Sequence, residues 1–229
     1  VGVTGTSGKT VVASMVKSVM DHYCKAAYMG TISLEYDGVE EQCPYTTPET
    51  LYVQKKLFDM ARRGVKVVAM EARSHGLALK RIDAVDFNIA VLTNISDEHL
   101  DFHGTRRQYI ESKKKLFSML STNSIAVLNK DEEVFAEFKA ATKARIMTYG
   151  IKNESEIMAK NIELYIDHSE FDLSLKGNLY HIVCPTIADF NIFLSFTGAI
   201  SARLIAVNKP IGTPIQIARK TPTMDVNIT

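Results

Sequence analysis

The chain has 229 residues, 46% of them hydrophobic, with 27 Lys and Arg against 26 Asp and Glu. That length allows one large domain or two small ones around a substantial core. The near-neutral balance removes the electrostatic case for nucleic acid or an anionic membrane as the main partner. Three widely spaced cysteines, Cys24, Cys43 and Cys184, form neither a disulfide framework nor a zinc pattern, and point to a reducing cytoplasm. No apolar run is long enough to span a membrane and no signal peptide is present. The chain opens at Val1 inside an apolar run and so reads as a segment of a longer protein.

Val1–Thr4 reads as the end of a buried strand that runs into a Gly-rich turn. From Thr10, apolar residues recur at Val12, Met15, Val16, Val19 and Met20, which is helical spacing. Glu49–Arg63 is amphipathic, and the valine-rich run Val65–Met70 has the character of a buried parallel strand. Asn88–Leu92 and Ser124–Leu128 read the same way, and the amphipathic segments Arg107–Leu120 and Glu132–Ala141 follow them. Alternating strand and helix predict an α/β fold with a mostly parallel sheet flanked by helices. After Gly150 the pattern changes. Phe171, Leu173 and Leu175 alternate with polar residues, Lys176–Asn178 reads as a turn, and Tyr180–Val183 as another strand. This predicts a small antiparallel sheet added to the main one. Phe190–Val207 reads as a closing helix, and Asn208–Thr229 carries no clear pattern.

Gly5-Thr6-Ser7-Gly8-Lys9-Thr10 lies between the first strand and the first helix. Glycines let backbone N–H groups turn inward around phosphate oxygens, and a helix N-terminus adds partial positive charge. Lys9 would reach the β- and γ-phosphates, and Thr10 would ligate Mg²⁺. The usual phosphate loop has an earlier glycine where this chain has Val3, so the general match is incomplete. Thr46-Thr47-Pro48-Glu49 has the form of a capping box with proline in the first helical turn. Glu71 follows a strand at its carboxyl end, where ligand sites in such sheets collect, and a carboxylate suits Mg²⁺.

The loop Gly5–Thr10 resembles the compact GTxGKT loop of Mur ligases and folylpolyglutamate synthases. Thr46–Glu49 resembles the TTPE segment of MurE-type Mur ligases. Glu71–Leu77 resembles their EVSSHGL segment, with Arg81 where they carry arginine. Thr93-Asn94 and His99–Thr105 resemble TNxxxDHLDFHGT. Tyr109, Ser112-Lys113 and Leu116-Phe117 match a YxxAKxxLF helix, and Phe190-Asn191 resembles the start of FNxxN. The resemblance covers nearly the whole chain and is strong because the segments occur in order.

It implies the P-loop-type central ATP-binding domain, residues 1–229, of a ligase whose uridine-nucleotide domain and amino-acid domain lie outside this chain. The implied reaction activates a carboxylate of UDP-N-acetylmuramoyl-dipeptide as an acyl phosphate, which the amine of the next amino acid attacks. The implied cofactors are ATP and Mg²⁺. Catalytic roles fall on Lys9, Glu71, His99 and Lys113. Gly5, Thr6, Ser7, Gly8, Lys9, Thr10 and Asn191 would bind nucleotide, Asn191 on the adenine side. Thr46, Thr47, Arg73 and Arg81 would bind the sugar-nucleotide substrate. Thr10, Glu71, His99 and a carbamylated Lys113 would hold metal. An unmodified Lys113 would instead pair with phosphate or a carboxylate. His75 and His103 are expected to be structural hydrogen-bonding groups or supports behind the metal ligands.

The chain departs from the family pattern at three positions and in one segment. Arg73 replaces a serine, Glu98 replaces the aspartate before His99, Leu194 replaces an asparagine, and a PGRxE continuation is missing. A folylpolyglutamate-type ligase, or a MurE-like protein kept for assembly with weak catalysis, are the competing readings. The TTPE and SHGL segments weigh against the first.

Overall fold

The computed structural model describes residues 1–184 apart from Asp97 and Lys176. Along the chain come β1 (Gly2–Thr4), α1 (Lys9–Met20), β2 (Ala26–Met29), β3 (Leu34–Tyr36), β4 (Val39–Glu41), α2 (Thr50–Arg62), β5 (Val67–Glu71), α3 (Ser74–Ala78) and β6 (Ile89–Leu92). Then follow α4 (Leu100–His103), α5 (Arg106–Ser118), β7 (Ile125–Asn129), α6 (Phe135–Ala140), β8 (Arg145–Gly150), β9 (Ile157–Leu164), β10 (Ser169–Leu175) and β11 (Asn178–Cys184). All strands join one sheet in the order β11-β10-β9-β8-β7-β6-β1-β5-β2-β3-β4.

From β2 to β9 every neighbouring pair is parallel. Both edges turn antiparallel, through β2–β3–β4 at one end and β9–β10–β11 at the other. The added antiparallel strands predicted after Gly150 thus continue the main sheet. They meet it where β8 and β9 pair, over Tyr149↔Ile157 and Gly150↔Met158. The hairpin β3–β4 has no counterpart among the predicted elements. Its strands have three residues each, too short to establish a period. The predicted closing helix Phe190–Val207 lies outside the described residues.

Alternate strand residues face two apolar cores, as a period of two requires. On one face Val12, Val16 and Met20 of α1 pack on Val3, Tyr28, Ala69 and Val91, and the cluster runs on to Phe171 and Ile182. On the other, Val53 and Met60 of α2, Leu116 and Phe117 of α5 and Phe138 of α6 cover Met29, Met70, Leu92 and Leu128. Burying each large apolar side chain contributes about 1.5–3 kcal/mol. Loss of this layering would therefore undo the alignment of β1, β5 and β6. Those three strands are parallel neighbours, so their carboxyl ends emerge side by side. The phosphate loop, Glu71 and Thr93-Asn94 follow directly from those ends.

The capping box predicted for Thr46–Glu49 does not form. Glu49 is itself the N-cap of α2, in extended conformation, and makes no side-chain cap hydrogen bond. Thr47 bonds instead to the end of β5, Thr46 accepts from Thr31 beyond β2, and Glu49 pairs with Arg81, Oε1 to Nη2 at 2.8 Å. Among the described residues, no helix is long and apolar enough to cross a membrane.

Candidate nucleotide-binding site

Gly8 caps α1 in the left-handed region at φ 83°, with no side-chain cap bond, and no acidic residue lies in the first turn. Unsatisfied N–H groups at a helix start carry partial positive charge, so this end of α1 suits an anion. Gly5, at φ 149°, presses against β6's exit: a Cβ there would come 1.8 Å from Thr93 Oγ1. No side chain fits at that position.

The loop is fastened from behind. Thr6 N donates to Asn94 O at 2.8 Å and Ser7 N to Asn94 Oδ1 at 3.0 Å. Thr93 Oγ1 donates to Ser7 O at 2.7 Å, and Thr6 Oγ1 shares a bond with Tyr109 OH at 2.9 Å. Lys9 Nζ donates to Gly5 O at 3.0 Å and Thr6 O at 2.6 Å.

Thr10 and Glu71, two residues predicted for one metal, are brought together. Thr10 Oγ1 donates to Glu71 Oε1 at 2.9 Å, and Glu71 is wholly buried. Because the Thr10 proton is spent on Glu71, its lone pairs are left for a cation. Hydroxyl and carboxylate oxygens are the hard ligands Mg²⁺ takes, so these residues fit such an ion.

Two residues at Glu71 were not among the predicted ones. Tyr28 OH donates to Oε1 at 2.5 Å, and Thr31 donates to both oxygens, N to Oε1 at 2.9 Å and Oγ1 to Oε2 at 3.1 Å. Burial, followed by the bond to Glu71, raises the Tyr28 pKa well above that of an ordinary phenol, so the phenol keeps its proton for this bond. Their only signal in the sequence is the short apolar run Ala26–Met29 ending in Gly-Thr, beside the phosphate loop in space but not in order.

The predicted substrate residues reach the same place. Thr31 Oγ1 also faces Thr46 Oγ1 at 3.1 Å. Thr47 Oγ1 donates to Glu71 O at 2.9 Å and accepts from Arg73 N at 2.9 Å. Arg81 Nη1 donates to Thr47 O at 3.1 Å, and its guanidinium lies over Tyr45 at 5.0 Å. Arg73 itself is exposed at the N-cap of α3.

Lys113 lies on the inner face of α5 and is 1% exposed, whereas Lys115 is exposed and Lys114 pairs with Glu111 at 2.7 Å. Of the two partners expected for the unmodified amine, phosphate or a carboxylate, the carboxylate is not found among the described residues. Among them Lys113 makes no ion pair: Nζ donates to Gly5 O at 2.7 Å and sits 4.4 Å from the Tyr109 ring centroid. Burial lowers its pKa well below that of an ordinary lysine, and the Lys9 charge lowers it further.

His99 caps α4 in the left-handed region, φ 56°, and is half-buried. Its ring centroid is 4.8 Å from that of His75 and its Nε2 lies 3.7 Å from Glu98 Oε2. Among the described residues, no three His, Cys, Asp or Glu side chains gather as a metal group. His103 is buried, with Nδ1 3.4 Å from Ser112 Oγ and Nε2 unpartnered, so it is only partly the hydrogen-bonding group predicted. Asn191 lies outside the described residues.

A strand–loop–helix anion site, a carboxylate at the next strand end and a buried lysine on a following helix make a recognisable set, and comparison with known proteins agrees. The Mur ligase middle domain profile matches residues 3–194. A UDP-N-acetylmuramoyl-L-alanyl-D-glutamate–2,6-diaminopimelate ligase of Lactiplantibacillus plantarum is 37% identical over 201 residues, 84% of this chain and 41% of that protein. An L-lysine ligase of the same dipeptide precursor from Staphylococcus haemolyticus is 36% identical over 212 residues, covering 90% of this chain and 42% of that protein. A solved structure of a 2,6-diaminopimelate ligase superposes with a TM-score of 0.81 at 27% identity, over 96% of this chain and 48% of that one. The chain therefore spans about two-fifths of the length of these curated relatives. With the profile matched across most of its length, the chain belongs to the Mur ligase family, as its middle domain.

Proposed function

We propose that the full-length protein is an ATP-dependent ligase of the MurE type, adding the third amino acid to UDP-N-acetylmuramoyl-dipeptide in peptidoglycan synthesis in the cytoplasm. This chain would be its central ATP-binding domain, with the uridine-nucleotide and amino-acid domains outside it. The supporting observation is a single carboxylate: Glu71 is bonded to the phosphate-loop Thr10 and, through Thr31 and Thr47, to the threonine pair on the substrate side. A nucleotide held by Gly5–Thr10 and a substrate held by Thr46, Thr47, Arg73 and Arg81 would thus meet at the carboxyl ends of β1 and β5.

In this reading the first turn of α1 and Lys9 orient the terminal phosphates, and Asn191 serves the adenine side. Thr10 and Glu71, with His99 and a carbamylated Lys113, hold Mg²⁺. The ion would supply neutralisation of phosphate charge. Diaminopimelate and lysine ligases match this chain almost equally well. The choice of amino acid is accordingly assigned to the part of the protein beyond this chain.

Full-length protein should form an amide and release phosphate only when ATP, the muramoyl dipeptide and an amino acid are all present. Binding of both ATP and the sugar nucleotide without amide formation would overturn the ligase reading in favour of an assembly role. Within the site, Lys9→Ala removes a charged hydrogen-bond donor worth roughly 1.5–3 kcal/mol. Calorimetry should find magnesium–ATP bound about tenfold more weakly or worse. Unchanged affinity would take Lys9 out of the phosphate site.

A further inference from the structure

We propose that Thr31 couples nucleotide binding to substrate binding, by sharing one hydroxyl proton between Glu71 and Thr46. The inference rests on the ligase reading above. Thr31 lies beyond the end of β2, exposed, with its Oγ1 donating toward two acceptors: Glu71 Oε2 at 3.1 Å and Thr46 Oγ1 at 3.1 Å. A hydroxyl carries a single proton, so it makes one of these bonds fully at a time. An ionised carboxylate is the stronger acceptor, so the bond to Glu71 prevails while Oε2 is available.

Availability of Oε2 is what a cation changes. Glu71 Oε1 already accepts from Thr10 Oγ1 at 2.9 Å, Tyr28 OH at 2.5 Å and Thr31 N at 2.9 Å. A carboxylate has about four lone-pair sites over its two oxygens, so Oε1 is filled and the remaining capacity lies on Oε2. A hard cation drawing on Glu71 therefore competes with the Thr31 proton there. Turned away from Oε2, that proton has Thr46 Oγ1 as its acceptor, reached by rotation about one side-chain bond. Thr46 then accepts from Thr31, and its own hydroxyl proton is directed to an oxygen of the bound substrate.

Thr31 is thus a positioning residue whose hydroxyl reports the state of one half-site to the other. The parallel link through Thr47 is different in kind. Thr47 Oγ1 donates to the Glu71 main-chain oxygen and accepts from Arg73 N, so its proton is committed whatever is bound. Coupling between two ligands is reciprocal: each tightens the other by the same factor.

The test uses full-length protein and calorimetry. The affinity of a magnesium complex of a non-hydrolysable ATP analogue is measured with and without saturating UDP-N-acetylmuramoyl-dipeptide. Wild type should show mutual tightening within the about 5–150-fold range of such couplings, and omission of Mg²⁺ should abolish it. Thr31→Val keeps the backbone N–H bond and removes the shared proton, so the factor should fall to near one. Thr31→Ser, which keeps the hydroxyl, should restore it. Wild-type coupling in Thr31→Val, coupling without Mg²⁺, or failure of serine to restore it overturns the proposal alone. So does binding of both ligands to wild type with no coupling. If wild type binds neither ligand, the ligase reading itself falls and this inference with it.

Discussion

Alone, the 229-residue chain should bind magnesium–ATP weakly and form no measurable amide. The proposed substrate and amino acid would each lack the domain that holds them. Holding reactants in register can account for about 7–11 kcal/mol of a barrier, so the expected loss is of many orders of magnitude. The measurement is amide formation by the isolated chain against the full-length protein, at saturating ATP, dipeptide precursor and amino acid. Nucleotide binding serves as the control for folding. Turnover by the isolated chain within about a hundredfold of full length would refute the multi-domain arrangement, since that gap is only about 2.7 kcal/mol.

Lys113 carries the second large expectation. In the full-length protein, if it is the proposed ligase, Lys113→Ala should lower turnover by about 10²–10³, the usual cost of removing one preorganised electrostatic group. Carbamate forms only on a neutral amine, and burial with the neighbouring Lys9 charge favours that form here. Stripping dissolved CO₂ should therefore lower activity, and bicarbonate should restore it. Lys114→Ala and Lys115→Ala should be nearly silent, because solvent-exposed pairs such as Lys114–Glu111 contribute about 0–1 kcal/mol. A merely structural Lys113 would behave differently: its alanine variant would lose thermal stability, and wild-type activity would ignore CO₂. Equal effects from all three alanine variants would remove Lys113 from the site.

What the sequence made legible follows from what is local. The phosphate loop, α1 and the apolar strands β5, β6 and β7 each announce themselves within a dozen residues, through spacing or composition. Lys113 could be separated from Lys114 and Lys115 only by resemblance, yet its burial agrees with that choice. Thr46–Glu49 misled, because a capping box and a segment bonded to a distant strand end share the same letters. Here the bonds from Thr47 to Glu71 and Arg73, and the ion pair from Arg81 to Glu49, are long-range and override the local preference. Tyr28 and Thr31 were silent for the complementary reason. Nothing near them in sequence reveals that parallel pairing of β2 with β5 sets Tyr28 opposite Ala69, two residues from Glu71.

The narrow pairing of β8 with β9 bears on how the molecule comes apart. Beyond it lie three long antiparallel strands, joined to the parallel body in the ladder over Tyr149↔Ile157 and Gly150↔Met158. A latch reinforces this seam: Asp131 accepts from Ile151 N at 2.6 Å, Lys152 N at 3.1 Å and Asn153 N at 2.7 Å. Burial alone would raise the Asp131 pKa, but those N–H bonds outweigh it and hold the group below the usual aspartate range. A carboxyl whose pKa is depressed on folding stabilises fully above its unfolded value, about 3.9, and that contribution fades as pH falls through the folded value. Amide protons of β9–β11 are therefore expected to exchange as one cooperative block, ahead of β1, β5 and β6. Acid should widen that gap by releasing the block while β1, β5 and β6 stay closed.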